Sequence, residues 1–263
     1  MSRKDELNDY KAKGAEEQSS GRTLFANKLE FEASEAYNVL RTNLILSLPG
    51  VDRGRVIGVT SSFPHEGKSY TTVNLAYALA KNGDKTLLIN ADMRKPTMEN
   101  YYKIPLSPGL SNVLTGKTGK LDLMSLCHNL RDRNENLYVM AAGDIPPNPS
   151  ELLGSRTMKD ILEILTAEFD YVLIDLPPVT TVVDPIAVSP NLDGMLLVVR
   201  HSYTKKRLLN QAMRQLRFAN VRVLGFVYNG YSKHTAGYYR RRNKKQDKEY
   251  SSGDKYYSDY YKR

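Results

Sequence analysis

The chain has 263 residues, a formal net charge of +9, one cysteine and no tryptophan. That length is enough for one large hydrophobic core, or for one domain with tails. The lone Cys127 excludes a disulfide framework and fits a reducing compartment, and no apolar run approaches the length needed to span a bilayer.

Residues 1–32 carry few large apolar side chains and read as a flexible lead, with Met1–Ser20 too charged and polar for a secretion signal. Tyr37, Leu40, Leu44 and Leu48 recur at helical spacing, so residues 33–48 are predicted to be a helix packed on the body. Strands and helices then alternate. Strands are predicted at Val56–Thr60, Thr86–Asn90, Leu137–Ala141, Tyr171–Asp175, Met195–Arg200 and Val223–Tyr228. Helices are predicted at Tyr70–Lys81, Ser155–Phe169, Asp184–Ser189 and Lys205–Ala219, with a helical, loop-rich insert before Leu137. Cys127 falls in that insert among Leu123, Leu126 and Leu130, which reads as a core position on a helix. Near-continuous apolar strands alternating with helices specify an α/β fold, a parallel sheet between two helical layers. Residues 33–230 would form that domain.

Residues 231–263 break the pattern, with almost no aliphatic side chains. Tyr231, Tyr238, Tyr239, Tyr250, Tyr256, Tyr257, Tyr260 and Tyr261 lie there, interleaved with Arg240-Arg241-Arg242 and Lys244-Lys245. Such a segment cannot bury enough apolar surface to fold alone and is expected to be disordered. Its repeated tyrosine pairs ask for a use. Its basic run also allows a second reading, contact with phosphate backbones or anionic lipid.

Three segments carry chemistry, all at carboxyl ends of predicted strands, where open parallel sheets bind ligands. The first is Ser62-Phe63-Pro64-His65-Glu66-Gly67-Lys68-Ser69, between a strand and a helix. Loop amides and a helix N-terminus bind phosphate, Lys68 supplies a flexible cation and Ser69 a hydroxyl for Mg²⁺. Ser62 stands where a P-loop ordinarily opens on glycine. Ser62, Pro64, Glu66, Gly67, Lys68, Ser69 and Tyr70 are therefore the expected nucleotide contacts. The second segment is Asn90-Ala91-Asp92-Met93-Arg94: Asp92 is placed to hold Mg²⁺ or to take a proton, and Arg94 to steady phosphate or to make a loop ion pair. The third is Asp175-Leu176-Pro177-Pro178, whose aspartate would orient Mg²⁺ at a strand tip. Asn229, at the end of the last strand, divides evenly between reading a nucleotide base and capping a turn. His65 reads as a solvated loop residue.

Together these segments resemble the Walker A, A′ and B motifs of the bacterial tyrosine kinases of capsule and exopolysaccharide systems. The resemblance extends to Ser34-Glu35-Ala36-Tyr37, Arg41-Thr42-Asn43, Gly143-Asp144-Ile145-Pro146-Pro147-Asn148-Pro149-Ser150-Glu151-Leu152-Leu153 and the tyrosine-rich C-terminus. It implies a P-loop NTPase fold of the ParA/MinD type and ATP- and Mg²⁺-dependent autophosphorylation of Tyr238, Tyr239, Tyr250, Tyr256, Tyr257, Tyr260 and Tyr261. It also implies a catalytic set of Lys68, Asn90, Asp92, Arg94 and Asp175, with Ser69, Asp92 and Asp175 at the metal. Implied partners are a separate membrane-bound modulator, which would bring the chain to the inner face of the membrane, a cognate phosphotyrosine phosphatase, and further copies of the chain in a ring. Nucleic acid is not an expected partner. The alternatives are a ParA/MinD-like ATPase and a weakly active nucleotide-binding scaffold.

Two positions depart from the family pattern. Asn90 replaces the first aspartate of Walker A′, and an amide cannot accept a proton as a carboxylate does. In the ring-forming pattern Glu-x-x-Arg-x-x-Arg, Glu35 and Arg41 are kept but the middle arginine is Asn38. A weakened ring is the expectation.

Overall fold

A computed structural model describes residues 29, 31–48, 50, 52–117 and 122–231. The flexible lead predicted before residue 29 and the tyrosine-rich tail from residue 232 lie outside the described residues. In chain order the helices are α1 (Phe31–Ser47), α2 (Lys68–Lys81), α3 (Met98–Tyr102), α4 (Leu110–Leu114), α5 (Pro149–Leu153), α6 (Arg156–Glu168), α7 (Asp184–Val188) and α8 (Lys206–Phe218). The strands are β1 (Arg55–Ser61), β2 (Thr86–Asn90), β3 (His128–Asn129), β4 (Leu137–Met140), β5 (Tyr171–Asp175), β6 (Gly194–Arg200) and β7 (Val223–Asn229).

Among the described residues these strands form one seven-stranded sheet in the order β3-β4-β2-β5-β1-β6-β7. All pairings are parallel except β3 with β4. The side-chain period of two divides each central strand between two cores. Leu87, Ile89, Val172, Ile174, Met195 and Leu197 face one layer together with Leu162 and Leu165 of α6 and Leu216 of α8. Leu88, Leu173, Leu196 and Val198 face the other, with Leu75 and Leu79 of α2. The near-continuous apolar strands follow from this double burial.

Helix α2 is buried from Thr71 to Ala80, because α1 covers the side that β1 and β2 do not. Leu44 is the buried contact of α1, and Leu40 and Leu48 pack on the same cluster. Ser155 caps α6, its hydroxyl accepting a hydrogen bond from the Met158 amide.

The insert departs from the sequence reading. Leu123–Leu126 is a single 3₁₀ turn, and Cys127 leaves it in extended conformation to start the short antiparallel strand β3. Pairing of His128 with Val139 and Asn129 with Tyr138 satisfies the outer edge of β4, which outweighs helical spacing over so short a stretch. Cys127 is a core residue, as expected, and burial pushes its thiol up to about 12.

At the opposite edge from the strand tips, Gly54 leads into β1 and donates its amide to the Thr166 carbonyl at 2.9 Å. A Cβ there would run into the Phe169 carbonyl and approach that of Thr166 at 3.0 Å. Gly54→Ala is expected to lose about 1–3 kcal/mol in urea unfolding, the range for overpacking against atoms that cannot move aside. Cys127 is expected to resist iodoacetamide at pH 8 in the native protein and to react rapidly in denaturant, because only the thiolate alkylates; intact mass reads both.

Candidate active site

Parallel pairing brings three strand tips together. Val59 of β1 and Asn90 of β2 both stand in register with Asp175 of β5. The loop 62–67 leaves β1 at this edge and turns into α2, whose N-terminus points its free amides over the sheet. Gly67 makes the turn with φ 90°, a conformation that favours glycine. A Cβ on it would also run into the Asn229 amide nitrogen.

Lys68 lies at the centre. Its Nζ donates to Asp92 Oδ2 at 3.0 Å and to Ser69 Oγ at 3.3 Å, and is 3.6 Å from Asp175 Oδ2. Burial draws the Lys68 ammonium down, but the charges of Asp175 and Asp92 outweigh it and hold the group above the ordinary lysine value. Asp175 is 1 % exposed, and burial holds its carboxyl above the usual carboxylate range despite the pull of Lys68. Asp92 Oδ1 accepts the Lys95 amide, so both its oxygens are engaged.

The phosphate loop is braced from within and from the far side of the sheet. The Glu66 carboxylate is fully buried and accepts the Ser62 amide, the Ser62 hydroxyl and the Phe63 amide at 2.7–3.0 Å. The Thr204 hydroxyl, from the turn after β6, also donates to it. Arg200 at the end of β6 donates to the His65 carbonyl at 3.0 Å. Asn229 at the end of β7 donates to the Glu66 carbonyl at 3.0 Å and accepts the Gly230 amide at 2.8 Å. Asn229 thus joins the phosphate loop to the first residue after β7. Pro64 and Tyr70 flank the loop, and His65 is exposed at φ 66°.

The structure gives Arg94 and Asn90 partners that lie far from them in sequence. Arg94 makes a two-pronged pair with the buried Asp184 of α7, Nε to Oδ2 at 2.9 Å and Nη2 to Oδ1 at 3.0 Å. Its Nη2 also donates to Ser150 Oγ at 3.2 Å. This fastens the loop after β2 to α5 and α7. The Asn90 amide donates to Glu99 Oε1 and Oε2 at 2.8 and 3.0 Å, and its oxygen accepts the Asp92 amide at 3.1 Å. Glu99, Asp184, Thr204 and Arg200 escape the sequence reading. No local motif marks them, and Glu99 and Asp184 each look like one acid on a short surface helix.

Mg²⁺ characteristically takes one or two carboxylates, a hydroxyl and substrate phosphates instead of a cage made wholly of protein. Ser69, Asp92 and Asp175 match that donor set. Two carboxylates around one ammonium leave the cluster an excess negative charge for a cation. The amides of Gly67 to Ser69 and the Lys68 ammonium match a polyphosphate. The residues therefore fit a magnesium nucleotide.

The raised Asp175 carboxyl carries a pH signature. A group whose folded pKa lies above its unfolded value contributes stability below the unfolded pKa and loses it as pH rises through the folded one. In protein stripped of divalent ions, the stability of the parent relative to Asp175→Asn is expected to fall as pH rises above about 4, the ordinary carboxylate value, and then to level off. Urea unfolding across pH 3.5–8 checks the slope.

The AAA domain family matches residues 54–217. The tyrosine-protein kinase CpsD of Streptococcus pneumoniae serotype 4 is 39 % identical over 206 residues, which is 77 % of this chain and 87 % of that protein. The kinase domain of the Escherichia coli tyrosine kinase ETK superposes with a TM-score of 0.70 at 30 % identity, covering 76 % of each chain. The septum site-determining protein MinD of Pyrococcus horikoshii OT3, with Mg-ADP, shares the fold at a TM-score of 0.55 and 22 % identity, covering 68 % of this chain and 72 % of that one. With its strand-tip cluster of Lys68, Asp92 and Asp175, the chain belongs to the AAA domain family and, within it, to the bacterial tyrosine-protein kinases.

Proposed function

We propose that this protein is a Mg²⁺- and ATP-dependent tyrosine kinase that phosphorylates its own C-terminal tyrosines and regulates capsular or exopolysaccharide synthesis and export. The observation that carries the reading is the Lys68–Asp92–Asp175 cluster beneath the phosphate loop, at the head of α2. Magnesium-bound ATP, when present, supplies the phosphoryl group. Lys68 and the first amides of α2 neutralise phosphate charge, which is most of what phosphoryl transfer asks of a protein. Ser69, Asp92 and Asp175 hold the cation. Asp92 is the carboxylate nearest the open edge of this cluster, at 8 % exposure, and is the base proposed to take the phenol proton. Arg94, tied to Asp184, keeps the Asp92 loop in place.

Tyr238, Tyr239, Tyr250, Tyr256, Tyr257, Tyr260 and Tyr261 are the proposed acceptors, in a segment outside the described residues. Tethering gives such phenols a high effective concentration at a neighbouring site. The chain would meet a membrane through its modulator: among the described residues no helix is long and apolar enough to cross one.

The ring is proposed to be weak. On α1, Asn38 donates to Glu35 at 2.9 Å, while Arg41 donates to the Ala78 carbonyl of α2 at 3.2 Å. Glu35 and Arg41 are thus engaged within the chain, and Asn38 brings no charge for a neighbouring copy. Sizing over a hundredfold range of concentration is expected to show dissociation at the dilute end; a ring that persists there rejects the idea.

Intact mass of the full chain, purified from cells that make its membrane partner, tests the kinase reading. Added phosphates that map to Tyr238–Tyr261 and vanish in Lys68→Met are the expected result. A parent chain without phosphate under those conditions would reject autophosphorylation.

A further inference from the structure

Both ends of the Asn90 side chain are engaged, the nitrogen as donor and the oxygen as acceptor. Its amide nitrogen reaches both oxygens of Glu99 at 2.8 and 3.0 Å, and its oxygen takes the Asp92 amide at 3.1 Å. Glu99 Oε1 also takes the Ala142 amide, just after β4, at 2.9 Å. Asn90 is 1 % exposed and Glu99 6 %, so water is a poor substitute for either partner. The chain of donors therefore runs in one sense. The amides at 142 and 90 point at the Glu99 carboxylate, and the Asp92 amide points at the Asn90 oxygen. Asp92 in turn receives Lys68.

This geometry requires an amide at position 90. An aspartate there has no N–H to give. It would set two carboxylates face to face at hydrogen-bond distance inside the protein, where like charges repel strongly. The opposite exchange is compatible with the site. With aspartate at 90 and glutamine at 99, the glutamine amide nitrogen donates to position 90 and its oxygen still accepts from Ala142. The Asp92 amide keeps its acceptor. Only the location of the negative charge changes.

We propose that Asn90 and Glu99 are a matched amide–carboxylate pair that positions Asp92, with the carboxylate of the pair carried by Glu99 on α3 and the amide by position 90. Glu99 is a positioning residue: it touches Asn90 and the Ala142 amide and acts on Asp92 through them. On this account Asn90 is no defect in the second motif, and converting it alone to aspartate damages the site. The proposal rests on the kinase reading for its catalytic consequence, and on side-chain geometry alone for the pairing.

The test is a four-variant cycle in the full chain: parent, Asn90→Asp, Glu99→Gln and Asn90→Asp/Glu99→Gln. ATP-dependent autophosphorylation and thermal unfolding are measured for each. Asn90→Asp is expected to lose about tenfold or more in kcat, with a smaller change in the KM for ATP, since misplacement of one reacting group acts chiefly on the chemical step. The double variant is expected to recover most of that loss. Its melting temperature is expected to exceed that of Asn90→Asp, a coupling that independent positions would not give. Asn90→Asp at least as active as the parent overturns the proposal, and so does a double variant no better than that single one. Should Asn90→Asp fail to fold, the double variant still decides: folded and active supports the pair, unfolded or inactive rejects it. Should the parent itself transfer no phosphate, the kinase reading falls, and the thermal cycle alone judges the pair: additive melting shifts reject it.

Discussion

One buried ammonium organises the functional edge of this protein. Lys68 is 14 % exposed at its side chain, and such a charge is tolerable only where opposite charge meets it. The two carboxylates that do so come from the ends of β2 and β5, far away in sequence. They can meet Lys68 because β5 lies between β1 and β2, in parallel and in register. Strand order and register thus bring both carboxylates within 4 Å of the ammonium. The hydrophobic layers on both faces supply the rigidity that keeps them there.

The same edge is held from its other side. Arg200, Thr204 and Asn229 come from the ends of β6 and β7 and grip the backbone or the one buried carboxylate of the phosphate loop. Glu66 is the pivot: it satisfies loop amides from inside and takes a hydroxyl from outside. A loop that must present its later amides to phosphate is thereby kept from closing on itself. The Arg94–Asp184 pair does the same for the loop after β2. Local order at the site is therefore a property of the whole sheet edge, not of the three motifs alone.

Much of this was legible in the sequence because it rests on short-range rules. The apolar strands, the turn at Gly67 and the lysine and hydroxyl that follow are consecutive, so spacing alone places them on a strand–loop–helix unit. Asp92 and Asp175 were legible because each ends an apolar strand. The insert was harder. Leu123, Leu126 and Leu130 have helical spacing, yet the edge of β4 recruits His128 and Asn129 into a strand. Nor did periodicity mark Glu99, Asp184 or Thr204: each is one polar residue in an ordinary local setting, and its role comes from a partner 9, 90 or 138 positions away.

Asn90 marks the boundary between the two kinds of knowledge. The sequence by itself determined that the chain is an α/β protein with a phosphate loop, a lysine and two strand-end aspartates, because backbone periodicity and turn chemistry are local. It also determined that an amide stands at position 90, and read locally that is only the absence of a base. Tertiary structure alone decided what the amide faces. Folding brings α3 and the turn after β4 against the end of β2, and there a buried carboxylate needs donors from both. A residue's local chemistry is written in its side chain; whether it is a donor in demand or an acceptor out of place depends on the neighbour that the fold supplies.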